Sequence, residues 1–358
     1  MVDLEPEVPR SDAIQSFVSQ ETPLVRITDS DGLVGSGYSY TIGTGGHSVV
    51  DLVTRHLAPL LLGEDPAHIE AHWKRLFLST HATAVGAITS LALAAIDTAL
   101  WDLRCLRAAL PLHVMAGGAQ SSVPLYSTEG GWLHIETPAL VEDALAVKER
   151  QFGGAKIKVG RPHVSEDMAR LSAVREAVGP SFDIMVDANQ AFTLDEAIRR
   201  ARHFESLDIA WFEEPLPAED LDGHLRLSNT TSLPVAVGES LYSLSHFRDY
   251  LQRGACSLVQ ADVARIGGIT PWLKCAHLAE SFNLSIAPHF LMELHVSLTA
   301  AVPNGRWVEY IPQLAPIAAP SMVIEQGRAI PSQTPGLGID WDWAAIEKRA
   351  VYRQTITA

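Results

Sequence analysis

Residues 183–215 read DIMVDANQAFTLDEAIRRARHFESLDIAWFEEP. Two short apolar runs, Asp183–Val186 and Ala210–Phe212, flank an amphipathic stretch of helical length, and a carboxylate residue follows each run. This pattern predicts a strand, a helix and a second strand, which is the repeating unit of parallel α/β folds. The stretch therefore predicts an α/β fold class.

The same pattern continues on both sides of this stretch. After a break at Gly117–Gln120, eight short apolar runs alternate with amphipathic stretches: Val123–Tyr126, Ala155–Val159, Asp183–Val186, Ala210–Phe212, Val235–Val237, Ser257–Gln260, Leu284–Ala287 and Trp307–Val308. Eight strand-like runs with helical connectors are what a parallel barrel requires. We therefore expect a (β/α) barrel over residues 119–320.

The segments outside the barrel predict an α+β domain. Residues 22–40 read as two strands joined by the turn Asp29–Gly32. Three helical stretches follow, near 47–61, 66–78 and 83–107. The second is expected to begin at Asp65-Pro66, because proline is favourable at the first helical position. We expect residues 1–118 to form this domain, and residues 321–358, where the alternation stops, to pack back on it.

The composition excludes several classes of partner. The chain has 358 residues and a formal net charge of −15. Such a negative chain offers no basic surface to displace counterions from phosphates, so we expect no nucleic-acid partner. The longest apolar run, Ala84–Ile96, is too short to cross a bilayer, and the acidic start of the chain is not a signal peptide. We therefore expect no membrane partner, and three widely separated cysteines fit a reducing, cytoplasmic location.

Polar residues follow the apolar runs at intervals of about one strand–helix unit, and a barrel places them around one cavity. Asp187, Glu213 and Glu239 end three consecutive runs, and three converging carboxylates would repel one another without a cation. All-oxygen ligands point to Mg²⁺, or alternatively Mn²⁺, rather than zinc. Each residue alone also fits a turn or a helix cap, but the triplet favours a metal site.

Lys156 and Lys158 are two residues apart on a predicted strand, so their side chains leave it on the same side. Such a pair is usually a solvated surface feature, but Ala155, Ile157 and Val159 make this segment apolar. Two buried ammonium groups held together lose proton affinity, so we expect one of them to act as a base near neutral pH. The other can stay charged and bind a substrate carboxylate.

His289 follows the seventh run and Asp262 follows the sixth. A single histidine after a strand is more often structural. The carboxylate on the neighbouring strand favours a catalytic dyad instead, because it would fix the imidazole tautomer and strengthen the other ring nitrogen as a base.

Together these motifs resemble the mandelate racemase group of the enolase superfamily across nearly the whole chain. The residues that carry the resemblance are Lys156-Ile157-Lys158, Val186–Gln190, Trp211–Pro215, Gly238-Glu239, Gln260–Asp262, Arg265–Gly268, Pro288-His289 and Trp307–Glu309. The resemblance implies an N-terminal α+β capping domain and a modified (β/α)7β barrel of the TIM type. It also implies Mg²⁺ bound by Asp187, Glu213 and Glu239, where the ion would stabilise an enediolate.

The resemblance further implies roles for single residues. Lys158 would be the base on one face of the α-carbon, with the His289–Asp262 dyad on the other face. Lys156 and Glu309 would contact the substrate carboxylate, and Asn189 would contact a hydroxyl group. Members of this group often form dimers or octamers, which implies a homo-oligomer.

Within the group, Tyr126–His134 and Ala287–Phe290 look most like acid-sugar dehydratases of the galactarate/talarate kind. We therefore expect a Mg²⁺-dependent dehydratase that abstracts the proton beside a carboxylate and gives a 2-keto-3-deoxy sugar acid. The alternative is a racemase or epimerase of a 2-hydroxy acid, since bases on both faces permit either outcome. A barrel that has lost activity and serves as a scaffold is a third hypothesis, which the complete set of residues disfavours.

The predicted loop Ser36–His47 bears on the substrate. It offers Ser39, Thr41, Thr44 and backbone amides, but no Lys or Arg. A carboxylate buried there without a cation would cost several kcal/mol, whereas hydroxyl groups could pair with neutral partners. We therefore expect a polyhydroxy monoacid, although a protonated His47 would allow a diacid.

Overall fold

The computed structural model describes residues 1–6, 10–319 and 322–357. The described residues at the start of the chain form six short strands: β1 Val2–Leu4, β2 Arg10–Ser11, β3 Ser16–Phe17, β4 Gln20–Thr22, β5 Leu24–Thr28 and β6 Val34–Tyr38. Strands β5 and β6 form the antiparallel hairpin predicted for residues 22–40. Strand β1 pairs with β4, and its three residues are too few to show an alternating pattern in the sequence.

Four helices complete the capping domain: α1 Gly46–Leu52, α2 Ile69–Ser79, α3 Ala87–Ala108 and α4 Leu112–Met115. Helix α1 continues as a π-helical turn, Val53–Leu57, and a 3₁₀ turn, Ala58–Leu61. The helix start predicted at Asp65-Pro66 is wrong by three residues. Oδ1 of Asp65 accepts a hydrogen bond from the backbone N–H of Ala67 at 2.9 Å, and this side chain closes a turn before α2 begins.

The barrel follows the capping domain. Its eight strands are β7 Val123–Ser127, β8 Gly154–Lys158, β9 Asp183–Asp187, β10 Ile209–Glu213, β11 Val235–Val237, β12 Leu258–Val259, β13 Ser285–Ile286 and β14 Val308–Tyr310. The helices between them are α5 Thr137–Glu149, α6 Val164–Val178, α7 Leu194–Phe204, α8 Leu221–Ser228, α9 Leu244–Arg253, α10 Ile269–Ser281 and α11 Met292–Ala301. Each of the eight predicted runs overlaps one of these strands, so the predicted (β/α)7β barrel is confirmed.

The strands pair in parallel, and the ring closes where β14 pairs with β7. Between β13 and β14 the contact is a single bridge from Ile286 to Gly305. In this register Lys158 lies opposite Asp187, and Asp187 lies opposite Glu213. The register therefore brings the polar ends of three neighbouring strands to one level.

A layer of side chains fills the barrel below these polar ends: Tyr126, Met185, Trp211, Ala236, Leu258, Ala287 and Trp307. Because side chains two residues apart leave a strand on the same face, Met185 and Trp211 lie directly below Asp187 and Glu213. The rings of Tyr126 and Trp211 meet edge to face, with centroids 5.2 Å apart. The barrel is thus a packed core whose upper layer carries the polar site.

The C-terminal segment contacts both parts of the molecule. Its elements are β15 Ala318–Ala319, β16 Met322–Glu325, β17 Arg328–Pro331, β18 Asp340–Trp341 and α12 Trp343–Arg349. Strand β17 pairs with the barrel strand β7. Farther along, the carbonyl of Gly336 accepts the N–H of Leu112 at 2.9 Å, and Ala350 pairs with Val2. Among the described residues, no helix has the length and apolar character needed to cross a membrane.

Candidate metal centre and active site

The three carboxylates predicted to bind a metal lie together at the carboxyl ends of β9, β10 and β11. Asp187 ends β9, Glu213 ends β10, and Glu239 follows β11. One oxygen of each carboxylate lies within 4.8 Å of the others, and all three residues are buried. This spacing allows a single cation to contact all three.

Neighbouring side chains fix Glu213, the central carboxylate. Its Oε2 accepts hydrogen bonds from Trp211 Nε1 at 3.0 Å and from Gln260 Nε2 at 2.7 Å. Its Oε1 accepts one from Lys156 Nζ at 2.8 Å. Burial and the repulsion of Asp187 raise the pKa of Glu213 to about 7. Glu213 is therefore firmly oriented in a region that is short of positive charge.

The charge balance of this region fits a divalent cation. The carboxylates are Asp187, Glu213, Glu239, Asp262 and Glu309, and the cationic partners are Lys156, Lys158 and Arg265. When all are ionised, two negative charges are in excess. Oε2 of Glu239 is buried 3.2 Å from Nε2 of His289 but makes no hydrogen bond to any described residue. An oxygen in that position, within an all-oxygen donor set, suits Mg²⁺.

Lys158 lies against Asp187, one of the three predicted metal ligands. Its Nζ is 2.5 Å from Oδ2 of Asp187. Burial lowers the pKa of Lys158, but Asp187 and more distant carboxylates outweigh this effect, so the net shift is upward. The expected loss of proton affinity is not seen in this arrangement, because the carboxylates beside the two ammonium groups, which the spacing of the lysines does not reveal, hold the proton on Lys158. A cation on Asp187 would offset the charge that holds this proton.

Lys156 and Glu309 form an ion pair beside the predicted metal ligands. Lys156 Nζ lies 2.9 Å from Oε1 of Glu309 and 3.6 Å from Oδ2 of Asp187. Glu309 also accepts hydrogen bonds from Thr128 Oγ1 at 2.6 Å and from the N–H of Phe290 at 2.8 Å. Burial raises the pKa of Glu309, but Lys156 and the other partners lower this pKa by a larger amount, so the net shift is downward. Glu309 is therefore a paired carboxylate.

The histidine and aspartate predicted as a dyad are in contact. Nδ1 of His289 lies 2.9 Å from Oδ2 of Asp262. Burial raises the pKa of Asp262, but His289 and Arg265 lower it to about 2. The ionised carboxylate keeps a proton on Nδ1 of His289. The other ring nitrogen, Nε2, faces Glu239. Lys158 and His289 thus contact opposite ends of the carboxylate triplet.

Tyr40, in the capping domain, reaches this dyad, and the sequence analysis missed it. Its hydroxyl donates a hydrogen bond to Oδ2 of Asp262 at 2.7 Å. Its ring packs against Phe290, with centroids 4.6 Å apart. The available signal was weak: Tyr40 continues the two-residue spacing of the buried Tyr38 at the end of the predicted hairpin.

The other residues predicted to contact the substrate, Asn189 and the polar residues of the loop Ser36–His47, differ in whether their side chains already have hydrogen-bond partners. The N–H of Asn189 donates to Oδ1 of Asp187 at 2.9 Å, and its side-chain oxygen is buried without a partner among the described residues. In the loop Ser36–His47, Thr41 donates to Glu21 at 2.6 Å, whereas Thr44 and His47 are exposed. Polar side chains of this loop therefore differ in what they can offer a ligand.

Arg10 is a second residue that the sequence analysis missed. Its buried guanidinium donates to both carboxylate oxygens of Glu129, at 3.0 and 3.1 Å, and to Oε1 of Gln313 at 3.0 Å. The one available signal was that no other Lys or Arg precedes Arg26.

Comparison with known proteins gives the family. The model for the mandelate racemase / muconate lactonizing enzyme N-terminal domain matches residues 1–117, and the enolase C-terminal domain-like model matches residues 139–345. The L-talarate/galactarate dehydratase of Salmonella typhimurium is 38% identical over 88% of this chain and 79% of its own length. The 3,6-anhydro-alpha-L-galactonate cycloisomerase of Streptomyces coelicolor is 37% identical over 91% of each chain.

Solved structures agree with this relationship. A mutant L-talarate/galactarate dehydratase liganded with Mg and L-glucarate has a TM-score of 0.93 and 35% identity, covering 98% of this chain and 90% of that one. A racemase from Streptomyces coelicolor with bound magnesium has a TM-score of 0.94 and 35% identity, covering 98% of both chains. Since both domains match over most of their length, this chain belongs to the mandelate racemase and muconate lactonizing enzyme group of the enolase superfamily.

Proposed function

We propose that this protein is a Mg²⁺-dependent sugar-acid dehydratase that converts a 2,3-dihydroxy acid into a 2-keto-3-deoxy acid. The observation that carries the proposal is the placement of two proton-transfer groups at opposite ends of one carboxylate triplet. Lys158 Nζ lies 2.5 Å from Asp187, and His289 Nε2 lies 3.2 Å from Glu239. A substrate carboxylate held at the triplet would present its α-carbon between these groups. The similarity to a talarate/galactarate dehydratase supports dehydration as the outcome.

The chain's own residues divide the remaining work. Asp187, Glu213 and Glu239 would hold Mg²⁺, whose charge, when the ion is bound, stabilises the negative charge that develops on the substrate carboxylate. Lys156 places an ammonium group beside this position, where it can hold the same carboxylate. Asn189 and Glu309 are proposed to contact the substrate as well.

In the proposed reaction, Lys158 Nζ or His289 Nε2 accepts the proton from C2 of the substrate. The C2–H electron pair becomes the C2–C3 double bond, and the hydroxyl group on C3 leaves as water with a proton from the other group. The resulting enol then takes up a proton at C3 and loses the proton of its C2 hydroxyl group to solvent, which gives the 2-keto acid. Asp262 keeps the imidazole in the orientation and tautomer that this exchange requires.

A racemase or epimerase of a 2-hydroxy acid is the second candidate. In that reaction, the second group returns a proton to C2 on the opposite face. The similarity to a racemase with bound magnesium favours keeping this candidate. The two outcomes differ in whether a leaving hydroxyl group sits on C3 of the substrate.

A parallel assay separates the candidates. The protein with added Mg²⁺ would be incubated with a panel of aldonates and aldarates, and 2-keto product would be measured with semicarbazide beside optical rotation. We expect 2-keto product equal to the substrate consumed, with His289→Asn as the inactive control. A change in rotation without 2-keto product would support the epimerase, and a lack of both with every acid would contradict the proposed function.

The partner that this proposal implies is a small carboxylate substrate. A homo-oligomer, either a dimer or an octamer, and a cytoplasmic location remain predictions. Light scattering of the purified protein would measure the first.

A further inference from the structure

A partly buried ion pair joins the capping domain to the barrel near the two proton-transfer groups. The side chain of Arg10 is 8% exposed and that of Glu129 is 34% exposed. Both oxygens of Glu129 accept hydrogen bonds from Nη2 of Arg10, while Nη1 donates to Gln313. Charge-assisted contacts of this kind are among the strongest polar contacts between side chains.

Two chains of contacts locate this pair relative to the site. On the side of the site that holds Lys158, here called the lysine side, the ring of Trp132 has its centroid 5.2 Å from Lys158 Nζ and 5.9 Å from Cζ of Arg10. One indole ring therefore separates the guanidinium from the lysine.

On the side that holds His289 and Asp262, here called the histidine side, the ring of Phe290 stacks on His289. Their ring centroids are 5.4 Å apart, and those of Phe290 and Phe17 are 6.3 Å apart. Phe17 in turn lies 5.5 Å from Cζ of Arg10. The two chains start at different proton-transfer groups and meet at the same guanidinium. Arg10 is therefore separated from Lys158 by one aromatic ring and from His289 by two.

Glu129 is tied to the centre of the site through its neighbour. Thr128 donates to Glu309 at 2.6 Å, and Glu309 pairs with Lys156. The side chain of Glu129, which is 34% exposed, therefore follows directly after a residue that bonds to the Lys156–Glu309 pair.

We propose that the Arg10–Glu129 pair determines specificity by selecting polyhydroxy acids with one carboxylate over diacids. This inference rests on the proposed function and names its substrate class. Glu129 neutralises Arg10, so the pair presents no net positive charge to the far end of a substrate. The cation that the loop Ser36–His47 lacks is thus present elsewhere in the capping domain, but it is already paired.

A second substrate carboxylate would have to displace Glu129 from the guanidinium. The displaced carboxylate would then be partly buried near Glu309 and Asp143. Burial raises the pKa of Glu129 most, and these two acids raise it as well. Leaving a buried charge without its partner is costly. A hydroxyl group can instead donate to a Glu129 oxygen while the ion pair stays intact, because each carboxylate oxygen accepts more than one hydrogen bond.

The replacement Glu129→Gln tests this inference, because it keeps the shape of the side chain and frees the charge of Arg10. The kcat/KM values, and the dissociation constants of the Mg²⁺-loaded protein by calorimetry, would be measured for gluconate with glucarate and for galactonate with galactarate. We expect the wild type to prefer the aldonate of a pair by about tenfold or more. In Glu129→Gln the ratio should shift toward the aldarate by about tenfold or more.

Two further variants complete the test. Glu64→Gln is the matched control, because Glu64 pairs with Arg75 at 2.7 Å on the surface, and it should leave the ratio unchanged. The double variant Arg10→Gln/Glu129→Gln should lose the gained aldarate affinity. If Glu129→Gln fails to fold, Arg10→Gln alone should weaken the binding of both acids, and of the aldarate more strongly.

Three results would overturn the inference: a wild type that prefers the aldarate, a ratio that Glu129→Gln leaves unchanged, or aldarate affinity retained in the double variant. A failure of the proposed function gives a different pattern. In that case no 2-keto product forms from any acid, while calorimetry still reports whether the charge of Glu129 sets the choice between aldonate and aldarate.

Discussion

The lysine side and the histidine side of the site are supported by different parts of the molecule. On the lysine side, the barrel holds the backbone of Lys158: its N–H donates to the carbonyl of Gly131 at 2.7 Å, and its carbonyl accepts from Arg170 Nη1 at 2.8 Å. On the histidine side, the capping domain takes part, because the Tyr40 hydroxyl donates to Asp262.

Two more cap residues hold the segment that begins at Asp262. Trp73 Nε1 on α2 donates to the carbonyl of Gly267 at 2.8 Å. Asp97 on α3 accepts from the N–H and the hydroxyl of Thr270, at 2.9 and 2.7 Å. The hydrogen bonds that hold the backbone of Lys158 therefore come from barrel residues, whereas Asp262 also accepts a hydrogen bond directly from the docked cap. We infer that changes in the cap alter proton transfer at His289 before they alter it at Lys158.

The largest effect is expected where the two sides share a support. Glu213→Gln keeps the shape of a metal ligand and removes its charge, so exchange of the α-proton should be lost on both sides. We expect kcat to fall on the order of 10⁴-fold, which corresponds to a loss of about 5 kcal/mol in transition-state stabilisation. The affinity for Mg²⁺, measured by calorimetry, should fall as well.

The matched control for this change is Glu214→Gln. Burial and then Glu239 raise the pKa of Glu214 well above its usual range, and its oxygens accept hydrogen bonds from Ser240, outside the carboxylate triplet. It should retain Mg²⁺ binding. Full turnover by Glu213→Gln in the presence of chelator would disprove the metal assignment.

Removing one proton-transfer group should separate the two sides. His289→Asn should lower turnover by about 10³-fold but keep slow exchange of the α-proton with solvent deuterium through Lys158. Lys158→Ala should lower turnover similarly and keep exchange only through His289. Exchange needs one base, whereas the net reaction needs both, and proton NMR in deuterated buffer measures it. Turnover at the wild-type rate by either variant would remove that residue from the mechanism.

Tyr40→Phe should affect the histidine side selectively. Loss of one hydrogen bond to a charged group costs about 1.5–3 kcal/mol, so we expect exchange through His289 and kcat to fall by about tenfold or more, with KM little changed. Tyr38→Phe is the control, because that buried hydroxyl has no hydrogen-bond partner among the described residues. Equal slowing of exchange on both sides in Tyr40→Phe would contradict a local role.

The last effect concerns stability instead of turnover and involves His295, which joins two loops on the histidine side. Its Nδ1 donates to the carbonyl of Phe290 at 2.9 Å, and its Nε2 accepts the N–H of Val263 at 3.1 Å. Burial lowers the pKa of His295 to about 4, from 6.5 in the unfolded chain. Its contribution to stability is therefore present above about pH 6.5 and is lost as the pH falls through about 4, by about 3 kcal/mol in all.

His295→Gln keeps a donor and an acceptor but does not titrate in this range. We expect its melting temperature, measured by scanning calorimetry, to fall less than that of the wild type between pH 7 and pH 4. Identical acid sensitivity of the two proteins would show that His295 does not carry this effect.

The barrel and the positions of its polar strand ends could be predicted because both signals are local. A short apolar run predicts a strand, and parallel strands carry their last side chains to one rim, as Asp187 and Glu213 do. The partners of those side chains could not be predicted. The contact of Lys158 with Asp187, and hence the direction of its pKa shift, depends on the pairing register and on burial.

Contacts between the two domains could not be predicted from the sequence either. Tyr40 and Asp262 are separated by 222 positions, and Arg10 and Glu129 by 119. No periodicity within either segment encodes how the cap docks on the barrel. Residues such as Gln260, which orients Glu213, were similarly read only as part of a strand or a motif.

The capping domain is built from both ends of the chain, and this has a consequence for the order of assembly. Val2 pairs with Ala350, and Leu112 bonds to Gly336. During synthesis, the first 117 residues and then the whole barrel leave the ribosome before the last cap residues do. The barrel residues are therefore available to fold before residues 336–350 can complete the cap. The backbone partners of Lys158, Gly131 and Arg170, are already present at that stage.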